Sequence, residues 1–481
     1  MVLEDRAPLP ALTVPPPPLS RRALREWWRV PGGYREVLQL AWPLILSQGS
    51  NTILQFLDRM FLTWHSPEEL AAAGPAGALA FTIQALFIGL AGYTAVFVAQ
   101  YTGAGKPRQA VAVVWQALYL SVLASLLILL LAPLGDIIFQ LAGHEAVVQQ
   151  MEVRYYTIFL YGSFTFIGSA AVTSYFIGRG DTRILLWINL VSVVINCLLA
   201  YLFIFGIGPF PEMGIAGAAW ATVIAQSVAL LIAFGVFLRD ARDIHAEGAW
   251  KLELPLFRRL LRFGYANGVQ IALDMVGWTV FMLLLGRLGA TSLGATNLAF
   301  QLNCIVFLPI MGLAMASSTL VGQNLGRNAP EAAHQATWSA IHIGLAFTAV
   351  IGALYIFIPD VLIAPFAAKA DPATFAPVRE QTVVMLRFVT AYCLFDVLNL
   401  TLGGALKGAG DTLYVMLLSS TLGITIMILP TLLWCVQPGG PGIYGAWGFL
   451  TLFVCVLSAA FLLRYLRGHW RTMRVIEHEV I

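Results

Sequence analysis

Long apolar stretches succeed one another along this chain, each closed off by Gly, Pro or charged residues. Runs such as Leu120–Leu131, apolar but for Ser121 and Ser125, do not alternate with the period of two that a β-barrel strand requires. About 20 residues at ~1.5 Å rise cross the hydrocarbon core of a bilayer. Twelve stretches approach or exceed that length: 36–63, 68–99, 113–142, 154–178, 184–206, 214–238, 256–286, 292–325, 334–366, 381–407, 412–436 and 443–466. The pattern predicts an all-α integral membrane protein with twelve transmembrane helices.

Composition supports this. Of 481 residues, 59% are hydrophobic and 11% charged, too few charges for a soluble fold of this size. The placement of the positive charges says more than their number. Arg21, Arg22, Arg25 and Arg29 precede the first span, Lys106, Arg108, Arg179, Arg239, Arg258 and Lys407 sit at alternate helix junctions, and Arg464, Arg467, Arg471 and Arg474 close the chain. By the positive-inside rule both termini are cytoplasmic and the protein is a multi-pass component of the cell (inner) membrane. The first 30 residues, with four prolines at 15–18, lack the apolar core of a signal peptide and read as a disordered cytoplasmic tail over 1–34. Cys197, Cys304, Cys393, Cys435 and Cys455 show neither metal spacing nor a disulfide framework.

The two halves resemble each other. Gly89-Leu90-Ala91, Gln100, Gly103, Pro107 and Trp115 recur at an offset of 223 as Gly312-Leu313-Ala314, Gln323, Gly326, Pro330 and Trp338. Gly178-Arg179-Gly180-Asp181-Thr182 recurs at an offset of 230 as Gly408-Ala409-Gly410-Asp411-Thr412. The offset spans six helices, an even number, so the repeats are parallel. The expected organisation is two six-helix lobes, 35–239 and 256–466, joined by a cytoplasmic linker at 240–255, with a second tail at 467–481. In each Gly-Asp-Thr junction the Asp is expected to cap the next helix by accepting backbone N–H bonds.

Three aspartates lie inside apolar spans: Asp58, Asp274 and Asp396. A carboxylate at membrane depth costs roughly 2.5–3.5 kcal/mol on insertion scales unless paired or wetted, so it marks an ion or substrate site. Asp274 and Asp396 are the expected Na⁺ ligands. Two acids facing one cavity also serve H⁺, and an organic cation competes for the same charge. Tyr392 lies one turn before Asp396 and Asn399 three residues after it, on one helix face. Asn51 and Gln55 form a polar stripe with Asp58; Gln270, Trp278 and Asn303 are further candidates for lining the cavity or binding the drug. Gln270 and Asn303 are equally open to a packing role between helices, and Trp278 to a role as membrane anchor.

Leu40-Ala41-Trp42-Pro43 followed by Asp58, Val321-Gly322-Gln323-Asn324-Leu325-Gly326, and Lys407-Gly408-Ala409-Gly410-Asp411-Thr412 together resemble the multidrug and toxic compound extrusion (MATE) family, most closely its NorM-type branch, from about residue 34 to 466. The resemblance implies a secondary active antiporter that exports amphipathic organic cations in exchange for Na⁺ or H⁺ by alternating access. It also implies that Asp58, Asp274 and Asp396 are site acids, and that Asn196 and Thr222 belong to an N-lobe cation cluster. That cluster departs from the family pattern at Ala200, where some members carry a further polar or acidic residue, so the C-lobe pair Asp274 and Asp396 is the favoured ion site. A lipid or oligosaccharide flippase of the same superfamily is the alternative, but such proteins tend to line their cavity with basic residues. Neither a Walker A loop nor His-Glu-x-x-His nor Gly-x-Ser-x-Gly is present, so no enzyme is expected. Nor is a cofactor, a nucleic-acid partner or an oligomer: the expected species is a monomer meeting only drugs and membrane lipids.

Overall fold

A computed structural model describes residues 21–367 and 372–477. Helix follows helix: α1 (Arg21–Arg29), α2 (Tyr34–His65), α3 (Pro67–Gly92), α4 (Thr94–Gly103), α5 (Pro107–Leu129), α6 (Leu134–Ala142), α7 (Ala146–Tyr161), α8 (Ser163–Arg179), α9 (Thr182–Phe205) and α10 (Ile215–Asp243). Then come α11 (Leu254–Gly286), α12 (Ala290–Gly326), α13 (Pro330–Phe357), α14 (Pro359–Ala367), α15 (Pro372–Ala409), α16 (Thr412–Leu422) and α17 (Gly442–Leu466), with α16 continued by π-helical turns at Gly423–Ile428 and Thr431–Cys435. No strand occurs among the described residues.

The predicted spans fall on α2, α3 with α4, α5, α7 with α8, α9, α10, α11, α12, α13, α15, α16 with its π-turns, and α17. Ten of these stretches are long and apolar enough to cross a membrane, eleven if the bent pair α7 and α8 counts as one, and α2 is not among them. Two were expected to run further than they do. The stretch 113–142 stops at Leu129, and Pro133 begins the separate α6. The stretch 334–366 stops at Phe357, because Pro359 forces Ile358 out of helical geometry, at φ −134° and ψ 44°. α7 and α8 bend by 43° at Gly162.

The repeat is visible in detail. Gly180 and Gly410 both adopt positive φ, +89° and +112°, as helix-ending residues. Asp181 and Asp411 follow with nearly identical backbones, φ −81° ψ 48° and φ −84° ψ 46°. Neither side chain caps its helix, contrary to expectation. Asp181 turns to Arg179 at 3.3 Å, and Asp411 to Arg464 at 2.8 Å. A charge-assisted pair with a guanidinium outcompetes a single neutral N–H.

The chain forms two compact units, and their borders cut through helices. One unit, Trp42–Ala272, is the N-lobe; the other, the C-lobe, joins residues up to Ala41 to those from Leu273 onward. The segment read as a linker is part of the N-lobe unit: the Gln116 amide donates to the Lys251 carbonyl at 2.9 Å and accepts from the Glu253 N–H at 3.2 Å. The first half of α11 packs on α3, where Asn267 donates to the Gly89 carbonyl at 2.7 Å.

Conversely, the start of the chain belongs with the C-lobe. Tyr34 Oη lies 3.1 Å from His342 Nδ1, the Trp27 ring is 5.2 Å from the His342 ring, and Ser339 donates to the Gly32 carbonyl at 2.9 Å. Within the segment read as a disordered tail, 21–29 is therefore helical and docked; 1–20 lies outside the described residues. At the other end, Trp470 is buried and donates to the Tyr465 carbonyl at 3.0 Å.

α3 and α11 approach each other closely, backbone against backbone, in the N-lobe unit. A Cβ on Gly268 would collide with the backbone carbonyl of Leu86, whereas one on Gly92 would meet nothing within 4 Å. Gly268→Val is expected to destabilise the protein by about 1–3 kcal/mol, and Gly92→Ala to leave it unchanged. Thermal unfolding of the purified variants in detergent checks this, and equal midpoints for the two would refute the contact.

Candidate functional site

In the N-lobe unit three helices bring polar side chains together in an otherwise apolar interior. Asp58 comes from α2, Asn196 from α9 and Thr222 from α10, the last two carried by helices that pack along their length. Thr222 Oγ1 lies 3.2 Å from Asp58 Oδ2 and 3.1 Å from the Ala218 carbonyl, so its single proton is shared between two acceptors. Asn196 Nδ2 donates to Thr222 Oγ1 at 3.0 Å.

All of the Asn196 side chain and nearly all of Asp58 are buried, and two oxygens are left over: Asp58 Oδ1 and Asn196 Oδ1 have no hydrogen-bond partner. A buried acceptor without a donor costs about 1–3 kcal/mol, more when charged. Both are hard oxygens, as is the Thr222 hydroxyl, and hard oxygens are the ligand type that suits an alkali cation or a proton. Tyr155 of α7 is close enough to interact electrostatically with Asp58 and with Arg59. Ala200, one turn beyond Asn196, is fully buried and offers no oxygen, as its side chain dictates.

The C-lobe acids are arranged differently. Asp396 of α15 is buried, and its Oδ1 accepts from Asn399 Nδ2 at 3.1 Å. Tyr392, one turn earlier, is buried with its ring 6.5 Å from Trp447, and the Cys393 thiol donates to Asn303 Oδ1 at 3.2 Å. Asp274 of α11 is exposed and interacts with the charge of Lys407. Lys407, read from sequence as a loop residue, lies inside α15 and is half-buried. Trp278 joins an aromatic stack: its ring is 4.3 Å from Phe300, which stacks on Trp447 at 4.8 Å. Trp447 in turn donates to Thr296 at 3.3 Å.

Asn51 and Gln55 are exposed on α2, on the stripe that continues to Arg59, and Gln270 is buried on α11. The structure thus gathers Asp58, Asn196 and Thr222 into one group, and Asp396 and Asn399 into another. Sequence reading missed Tyr155 and the Lys407 interaction. Both depend on which helices become neighbours, and neither has a local signal.

The MatE family model matches residues 43–202 and 268–431. The chain is 30% identical over 455 residues, 93% of it and 96% of the relative, to a probable multidrug resistance protein NorM from Mesorhizobium japonicum. It is 25% identical over 452 residues, covering 94% and 96%, to another probable multidrug resistance protein NorM from Thermotoga maritima. Its fold matches that of a multidrug resistance MATE family transporter of the MOP superfamily in an outward-facing conformation, with a TM-score of 0.81 at 19% identity and coverage of 93% and 98%. It also matches a MOP superfamily transporter from Pyrococcus furiosus with a binding pocket of reverse polarity, with a TM-score of 0.79 at 20% identity and the same coverage.

Thr222→Val keeps the side chain's shape and deletes both the donor to Asp58 and the acceptor for Asn196. Ala225, three positions further along α10, offers only its carbonyl, which accepts from Ser192 at 3.3 Å. A stability loss of about 1–3 kcal/mol is expected, read as a lowered unfolding midpoint. An unchanged midpoint would refute the network.

Proposed function

Because the chain belongs to the MATE family of NorM-type multidrug efflux transporters, we propose that it expels amphipathic organic cations in exchange for Na⁺, or else H⁺, by alternating access. The coupling cation binds at Asp58, Asn196 and Thr222. The observation that carries this reading is the pair of buried, unpartnered oxygens Asp58 Oδ1 and Asn196 Oδ1 beside the Thr222 hydroxyl. A Na⁺ there completes their coordination with Thr222, backbone and water supplying the remaining oxygens. A proton on Asp58 instead turns the carboxyl into a donor. This moves the coupling site from the expected Asp274 and Asp396 to the N-lobe.

In the C-lobe, Asp396 and Asp274 supply negative charge for the organic cation, with the charge of Lys407 acting on Asp274. Tyr392 and Trp278 offer aromatic faces to the same ligand. Antiport follows if cation and drug stabilise opposite members of a two-state equilibrium. The protein acts as a monomer in the inner membrane with both termini cytoplasmic, as its basic helix junctions favour.

Efflux of a fluorescent organic cation from proteoliposomes, under a Na⁺ or an H⁺ gradient imposed separately, tests the reading. Asp58→Asn is expected to abolish gradient-driven efflux and ²²Na⁺ binding. Asp396→Asn is expected to weaken drug binding at least tenfold, a change of about 1.4 kcal/mol, while ²²Na⁺ binding persists. Full efflux in Asp58→Asn would sink the N-lobe assignment, and no efflux by the wild type under either gradient would bring the flippase forward.

A further inference from the structure

His65 is the last residue of α2, beyond the apolar span 36–63, and the cation site makes no use of it. Its Nδ1 is 2.8 Å from Glu69 Oε2 and its Nε2 is 2.8 Å from Glu212 Oε1. Ionised carboxylates only accept hydrogen bonds, and a neutral imidazole has a single N–H. Only the imidazolium donates to both neighbours. A neutral ring leaves one lone pair facing a carboxylate.

The two carboxylates differ in freedom. Glu69 lies in the first turn of α3, where the helix dipole favours negative charge, and is 6% exposed. It is wedged against Gly214, whose φ of +53° and lack of room for a Cβ make the glycine necessary. Glu212 stands exposed on the turn between α9 and α10. That turn is tied to the end of α9 by the Met213 N–H on the Phe203 carbonyl at 2.9 Å, and the Phe205 ring packs edge-on to His65 at 5.8 Å.

The cluster therefore fastens the end of α2 to the start of α3 and to the α9–α10 turn. Three of the helices it joins, α2, α9 and α10, are those that carry Asp58, Asn196 and Thr222. Asp58 is seven residues before His65, about 10 Å along the helix.

We propose that His65, Glu69 and Glu212 form a proton-operated latch over the outer ends of the helices that hold the cation site, shut when His65 is an imidazolium and released when it is neutral. Its placement on the outer side, and its influence on cation binding, rest on the orientation and the Asp58 site proposed above. The charged groups facing His65 are Glu69 from α3 and Glu212 from the α9–α10 turn; α9 presents the Phe205 ring, and Glu68 is engaged by Ser66. Burial works against the charged ring, but the bond to Glu212 and the charge of Glu69 outweigh it, holding the His65 pKa above the ordinary 6.5. The stabilisation from the latch is thus fully present below the unfolded-state value and is lost as pH rises through the raised folded-state value. Acid on the outer face shuts the latch.

Histidine-selective ¹⁵N NMR of the full-length protein in detergent, with His65→Gln to assign the signal, reads the latch directly. His65 is expected to carry protons on both nitrogens at about pH 6.5, the ordinary histidine value; a neutral ring there overturns the proposal. Thermal unfolding gives a second reading. From about pH 5.5 to 8.5 the wild-type midpoint is expected to fall relative to His65→Gln by roughly 2–4 °C, and Glu212→Gln, altered only at an exposed side chain, to show a smaller fall. Identical pH slopes in all three proteins would also overturn it. ²²Na⁺ binding separates the two readings: if Asp58→Asn still binds Na⁺ while His65 titrates as described, the cation site fails and the latch stands.

Discussion

A polar group inside an apolar helix bundle must find partners from other helices, because neither lipid nor hydrocarbon side chains supply any. That requirement organises this protein. Asp58 needs the Thr222 hydroxyl, and Thr222 in turn takes the Asn196 amide, so α2, α9 and α10 converge at one depth. Other buried polar groups meet it across helices: Gln84 reaches the Phe159 carbonyl and Ser163, and Ser458 reaches the Phe395 carbonyl. Asp58 Oδ1 and Asn196 Oδ1 are unpartnered, as are other buried atoms such as Thr94 Oγ1 and Ser317 Oγ; the pair differs in belonging to one hydrogen-bonded group that contains a carboxylate.

The duplicated lobes share their scaffold and differ in where they put charge. At the offset of 223, Asp58 corresponds to Phe281, which is fully buried in the C-lobe core, and Asn51 corresponds to Asp274. One lobe thus carries its acid seven residues further along the equivalent helix than the other. The stack of Trp278, Phe300 and Trp447 fills C-lobe space beside Phe281. A parallel repeat that keeps its glycine junctions and exchanges its interior residues gives two side-chain clusters of unlike chemistry on one architecture. One is small and oxygen-lined; the other is aromatic and acidic.

The unit borders fall inside helices instead of loops. α2 divides after Ala41 and α11 after Ala272, so each of these helices serves two cores. The first turns of α2 hold Tyr34 against His342 in the C-lobe unit. Past Pro43 the same helix carries Asp58 and then His65, both engaged by residues of the N-lobe unit. A single helix thereby holds an aromatic anchor, a buried acid and a titratable end, each answering to a different set of neighbours.

Hydrophobic runs, proline and glycine punctuation, and the charge at helix junctions determined the all-α membrane class, the twelve spans and the parallel repeat. These features are local or periodic, and membrane burial forces the backbone to bond within each helix. The chain also marked its intramembrane acids, since a charge in an apolar run is conspicuous whatever surrounds it. Only the tertiary structure decided which acids acquire which neighbours. Asn196 and Thr222 lie 138 and 164 positions from Asp58, and Lys407 lies 133 positions from Asp274, so no spacing rule joins them. Likewise the fate of Asp181 and Asp411 turned on nearby arginines, Arg464 arriving from 53 positions away. His65 reads as a lone histidine until Glu212, 147 positions on, is folded against it. Helix existence is a property of segments; the chemistry of a site belongs to the packing that brings segments together.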